Sequence, residues 1–525
     1  MRFRRSTSDG EPSIYAHVAA HLTEDGLTDR GAVLPDEVDA SGTTGLRWAP
    51  GALEGVMGRH ARPERDEELV RELHAAFVAL ADHPGPASRA RVRSACAAAA
   101  PRTHADGLLD LLRAEPPQDA AGSRRETREL VTTTGRRSEV KFGLAVLGVC
   151  GAPDDVPLMQ TLGRHDEFTL YAAVAMAGLV EDPVTAWMAL ARTVHGWGRV
   201  EMVSLLLRRP REDVCAWLLR DGFRNRVLYG YTAHLVAERC DLAAALHDDA
   251  DDALVAGARD ILATLAEDAW GGPAGGLLDY EDGLAATRRL LALLEPRALT
   301  DFLAVDTLRV FAEDDLSWAG DDRAAEEASR VALGWTEEAR GEIAAACRRV
   351  QAVELWPDLV RVELSRGGDT ISNEALEVAR RIGMPTADVV EAHLRTNPGD
   401  GAAWYQFLVG ADAATLERAL AVARDRLPLD DLASGPALDL DRAAPVHRAA
   451  TYLLQALKEH PGIGWDLLRR ALRSPVIRDR RVALAALANW PTALLTAEHL
   501  DAVAHVRDAD PDPDTRAQAE AILRR

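Results

Sequence analysis

The chain repeats itself, and that restricts its fold more than anything else in the sequence. "GLAVLGVCGAPDDV" from Gly143, "AAVAMAGLVEDPVT" from Ala172 and "EMVSLLLRRPREDV" from Glu201 start 29 residues apart, and "YTAHLVAERCDLAA" from Tyr231 follows after 30. "GARDILATLAEDAW" from Gly257 fits one more unit at a shorter step. Near the end, "YLLQALKEHPGIGW" from Tyr452 and "VALAALANWPTALL" from Val482 are again 30 apart. Each segment reads as an apolar helix, a charged or Pro-containing turn, and the start of a second helix. A hairpin of that size cannot bury its apolar stripe alone, so neighbours must stack to build a core. Val140, Leu144 and Leu147 fall at i, i+4 and i+7, one face of a helix. Asp and Pro at the turns stop one helix and cap the next. The fold predicted is all-α, an α-solenoid of HEAT-like helical hairpins with repeats of about thirty residues and an irregular N-terminal segment.

The rhythm is uneven along the chain. Residues 1–62 read as a short helix near 12–24 followed by a Gly/Pro-rich loop, and 63–120 as a helical segment ending in a linker, "RAEPPQDAAGSRRET". The repeat array occupies 121–270. A less regular helical region with a Gly-rich loop and an acidic loop covers 271–350. Helical and HEAT-like repeats resume over 351–525, where "NPGDGAAWYQFLVGADAATLERALAVARDRLP" resembles a tetratricopeptide hairpin.

Composition agrees with a helical protein and narrows the partners. Hydrophobic residues make up 47% of the 525 and aromatics only 5%. Lys141 and Lys458 are the only lysines, so arginine carries nearly all the positive charge. The balance of 61 basic against 83 acidic residues gives −22, a field that repels nucleic acid and acidic membranes. The cysteines at 96, 150, 215, 240 and 347 are odd in number and widely spaced, without C-x-x-C. That pattern argues against a disulfide framework or a zinc site and predicts buried, reduced thiols in a cytoplasmic protein. The basic N-terminus lacks the apolar stretch of a secretory signal, and the longest apolar runs are about half a membrane span.

Signatures of chemistry are few. "GGPAGG" lacks the Lys-Ser/Thr of a phosphate-binding loop, and no G-x-S-x-G or H-E-x-x-H occurs. No cofactor or metal is expected. His17, His21 and Glu24 share a helix face and have ligand spacing, but no fourth ligand accompanies them. His165 and Asp166, followed by Glu167 at a helix–helix turn, are weak candidates for an acid/base pair, equally readable as helix caps. His60 ends "RWAPGALEGVMGRH", whose Trp48 suits partner binding or docking of the loop itself. Arg469, Arg470, Arg473, Arg478, Arg480 and Arg481 stand against Asp479 and could line a strip for an acidic partner.

Three stretches carry a resemblance: "LRWAPGALEGVMGRH", "EVKFGLAVLGVCG" with "TLGRHDEFTLYAAVA", and "HPGIGWDLLRRALRSPVIRDRRVALAALANW". Spread over most of the chain, they resemble a bacterial family whose members carry the label "limonene hydroxylase". The resemblance implies a helical-repeat fold and, through the label, a terpene monooxygenase; it assigns no catalytic residue. Hydroxylation by oxygen needs haem, flavin or iron, and no ligand set for these is visible. The function expected is therefore a non-enzymatic scaffold for a protein or peptide partner. The alternative is an enzyme with its site between residues 46–60 and His165. A third reading, a HEAT-like DNA glycosylase, is opposed by the net charge.

Overall fold

The computed structural model describes residues 13–23, 26–38, 48–60, 64–269, 273–316, 322–440 and 444–525. It is mostly helical. Among the described residues, the strands are a two-residue antiparallel pair, Leu22–Thr23 against Gly26–Leu27, and an isolated bridge joins Asp439 to Val476. No described helix is long and apolar enough to cross a membrane. The chain forms two compact units. One comprises Met1–Glu295 with Ala304–Arg348, the other Pro296–Leu303 with Arg349–Arg525.

In the first unit the quoted segments fall where a helix ends and the next begins. Helices Pro101–Ala114, Arg137–Cys150, Thr169–Ala177 and Trp197–Leu206 pack side by side in that order. Val140, Leu144 and Leu147 are all fully buried, as their spacing requires. Small residues set the approach: a Cβ on Gly148 would lie 2.8 Å from the Ala175 Cα of the adjacent helix. At the turns Asp182 accepts from the Val184 and Thr185 amides, while Asp155 is buried between Arg124 and Arg128. Caps of this kind contribute about 1 kcal/mol each.

Helical hairpins also build the second unit. Gly401–Leu408 and Ala413–Arg426 form the hairpin expected there, with Trp404 fully buried in the core. Further on, Pro445–Lys458, Ile477–Ala488 and Pro513–Leu523 pack in sequence order.

Four expectations change. The stretch read as a Gly/Pro-rich loop up to residue 62 holds a helix, Ala52–His60. The first helix is shorter, Ile14–Ala20, because the strand pair follows at once. The segment read as a linker is mostly helix, Ala120–Thr133, started by Asp119, which accepts from the Gly122 amide at 2.7 Å. The reduced-thiol expectation fails at one pair: Cys215 and Cys240 form a disulfide, with Cα atoms 5.1 Å apart. Adjacent helices bring together two cysteines that their 25-residue separation gave no reason to pair. Cys96 and Cys347 are buried free thiols, and Cys150 is a half-buried one.

Candidate functional site: a bridged helix row and its cleft

The four-helix row in the first unit presents one face to a nine-residue element from far upstream, the helix Ala52–His60. Gly55 makes the contact close, since any Cβ there would run into the Trp197 ring. Ala52, Trp197 and Val200 form a small buried cluster with Val56 and Tyr231 packed against it. From this helix Gly58 meets Arg102, Glu54 meets Lys141 and Tyr171, and Arg59 reaches Ser204 and Glu201. One short helix thus touches all four members of the row. Its own burial is slight: Leu53 and Met57 are exposed, as is Trp48 just before it. The close contacts that hold the helix come from Gly55 and Glu54.

The polar part of this contact centres on Lys141. Its ammonium is buried, 2.9 Å from Glu54 Oε1 and 2.8 Å from Glu167 Oε1. Tyr171 donates to Glu54 Oε2 at 2.9 Å, and the Gly51 amide donates to Glu167 Oε2 at 2.6 Å. Arg137 approaches Glu167 at 3.5 Å and grips Asp36 with both ends of its guanidinium. Burial pushes Glu167 up, but the Lys141 charge and its hydrogen bond, with the Gly51 amide, outweigh it and hold the carboxyl below its usual range. Burial, reinforced by the Glu54 charge, puts the Tyr171 phenol well above its usual range, so it remains a donor.

The neighbouring candidates are committed to structure. His165 Nδ1 accepts from the Glu167 amide at 3.2 Å, which leaves the proton on Nε2 to donate to the Ala32 carbonyl at 3.3 Å. Burial lowers its pKa to about 4, so the ring is neutral. Asp166 accepts from the Gly198 amide at 2.9 Å, and burial raises it to about 6 against the pull of the Gly198 and Gly196 amides. The sequence neighbours thus face different partners, and His60 stands apart from both, exposed beside Tyr231 with its Nε2 3.4 Å from the hydroxyl. The structure does bring the 48–60 segment against the 165–167 turn, through the Gly51–Glu167 bond.

Beside the crossing helix, the row face is open. A cleft of about 250 Å³ runs over all four helices. Leu109, Leu170, Val174 and Leu205 give it an apolar floor, and Arg102, Asp106, Glu201 and Arg208 a charged rim. Glu201 is held only loosely, 3.5 Å from Arg102 and 3.7 Å from Arg59, and its Oε1 is buried without a hydrogen bond. Nothing in the sequence marked these residues, which come from three different helices and, for Arg208, the turn after the last of them.

The arginine strip is not one surface. Arg480 is fully buried in the second unit, its guanidinium on both oxygens of Asp510 at 2.6 and 3.0 Å, and so drops out of the set. Arg481 pairs with Asp512 and Asp514, Arg470 with Asp430, and Arg469 lies 3.7 Å from Glu498. Arg478 donates to Thr451, and Arg473 is exposed. Beneath them His447 Nδ1 and Ser474 Oγ both bind Asp479 Oδ2, at 3.0 and 2.9 Å. Two groups on one carboxylate oxygen make a buried knot, not a nucleophile–base pair. Comparison of the chain with protein-family profiles, with curated proteins and with solved structures gives no match.

For metals, His17 and His21 stack with ring centroids 4.5 Å apart, and His21 Nδ1 is bonded to the His17 carbonyl at 2.8 Å. Glu24 lies outside the described residues. Among those described, no three His, Cys, Asp or Glu residues are grouped to hold a metal ion.

Proposed function

We propose that the chain is a non-enzymatic α-solenoid scaffold of HEAT-like hairpins that binds a protein or peptide partner on the face of its helix row. The reading rests on one observation: the helix Ala52–His60 lies across four successive row helices while leaving a cleft beside it. A face that accepts a helix of its own chain has the width and the mixed apolar and charged lining for a segment of another. Stacked hairpins give such faces as a matter of construction, since corresponding helices of each repeat line up.

The test is photo-crosslinking in the native host, with a photoreactive residue at Val174, which is exposed within the cleft. A defined polypeptide captured there, and not from exposed Val310, is expected. Crosslinks confined to small molecules, or the same capture from both positions, would sink the reading.

The enzyme alternative draws on the meeting of the 48–60 segment with the 165–167 turn. Full retention of a measured turnover after alanine substitution at His60, His165 and Asp166 would remove that site. A cytoplasmic setting belongs to the scaffold proposal, and the Cys215–Cys240 bridge bears against it, because such bridges persist mainly in oxidising compartments. Thiol trapping in acid-quenched cells separates the two.

A further inference from the structure

We infer that the cleft is a site for a single carboxylate carried on an apolar group. The inference rests on the scaffold reading only where that carboxylate is the C-terminus of a partner chain; a free apolar acid would present the same chemistry.

Most arginines near this face are paired, but the two on the cleft rim are not satisfied. Among the described residues, the one carboxylate within ion-pair distance of Arg102 is Glu201, at a long 3.5 Å. Arg208 is exposed, and among the described residues no carboxylate lies within ion-pair distance of it. Guanidinium groups offer five donors in a planar fork that fits a carboxylate with two parallel hydrogen bonds. On the rim itself Arg102 and Arg208 balance Asp106 and Glu201 in charge. A monoanion therefore adds a single negative charge there, whereas a phosphate dianion would add two beside a buried carboxylate.

The floor decides what carries the carboxylate. Leu109 and Leu205 are buried, Leu170 is half-buried and Val174 is 43% exposed at the open edge, so an apolar group laid over them removes their remaining surface from water. At about 250 Å³ the cleft is smaller than the roughly 300–1,000 Å³ that drug-sized ligands fill. It has room for one large side chain with its terminal carboxylate, or a medium-chain acid.

Isothermal titration calorimetry on the full chain tests this with octanoate and with a hexapeptide ending in leucine, as free acid and as C-terminal amide. Both acids are expected to bind, with the amide weaker by about tenfold, the loss expected for one charge-assisted contact. Arg208→Gln should weaken both acids by about tenfold as well. Val174→Trp should block them by filling the cleft, and unchanged circular dichroism would show that each variant folds. Equal binding of acid and amide, indifference to both substitutions, or no heat from either acid up to about 5 mM would overturn the inference. Octanoate binding without peptide binding would keep the site and count against a peptide partner there, so the two readings fail separately.

Discussion

If Lys141 holds the crossing helix to the row, removing its charge should free Ala52–His60 without unfolding the unit. The Lys141 side chain is 3% exposed, and its Nζ bridges Glu54 and Glu167 at 2.9 and 2.8 Å. Lys141→Met leaves two carboxylates facing each other with their shared cation gone. Breaking a buried pair from one side costs about 3–5 kcal/mol. Glu54 is 20% exposed, so water relieves part of this, and about 3 kcal/mol is the expected loss. Hydrogen exchange at the amides of Ala52–His60 reads the local opening directly, and each 1.4 kcal/mol is a tenfold change, so exchange should speed up about a hundredfold. Glu54→Gln keeps an acceptor for Tyr171 and leaves Glu167 on the lysine; about tenfold is expected. The double variant is the decisive one. Each single change removes the same ion pair, so the combined effect should fall short of the sum by about 1 kcal/mol or more. Additivity within about 0.5 kcal/mol, or unchanged exchange in this helix, would refute the clamp.

Gly55→Ala should release the same helix by another route, because the new Cβ collides with Trp197; exchange in Ala52–His60 should rise while the row stays protected. His165 and Asp166 should oppose each other with pH. Between about 6.5 and 4 the unfolded chain protonates His165 and the folded one does not, so stability falls on acidification; between about 6 and 4 the folded chain keeps a proton on Asp166 that the unfolded one has lost, so stability rises. Asp166→Asn should steepen the acid loss and His165→Gln should reverse its sign, read from urea midpoints over pH 4–7. Reducing Cys215–Cys240, which closes a 25-residue separation, should cost roughly 3 kcal/mol locally, visible as faster exchange over residues 212–240. Arg480→Leu, by leaving Asp510 buried and unpaired, should lower the melting temperature of the second unit, whereas Arg473→Gln on the surface should not.

How far the fold could be read from the sequence follows from the range of the interactions involved. Hairpins are local: an apolar stripe, an Asp or Pro at the turn and the next stripe all sit within thirty residues, so "AAVAMAGLVEDPVT" announces its helix end and its Asp182 cap. The crossing helix announced nothing, because "ALEGVMGRH" has two glycines and no amphipathic period. Its reason for being helical is a space left beside Trp197 that only Gly55 can enter. Lys141 does carry a signal in the sequence. In a chain that carries charge on arginine, a lysine inside an apolar run is out of place unless a compact ammonium is wanted between two carboxylates. Arg480 misled for the opposite reason. A run of arginines looks like surface, and the fate of this one is fixed by Asp510 in the next hairpin.

The same distinction bears on binding. Net charge is a property of the whole sequence, and −22 argues soundly against a polyanion spread over the molecule. It says little about a cleft assembled from helices far apart in the chain, where the sum that matters runs over the side chains on one rim. There Arg102 comes from the first helix of the row and Arg208 from the turn that follows the last, and only stacking brings them to one opening. Periodicity can say which helices stand side by side. Which residues then meet across the row depends on the register between its helices, and that register decides which side chains share an opening.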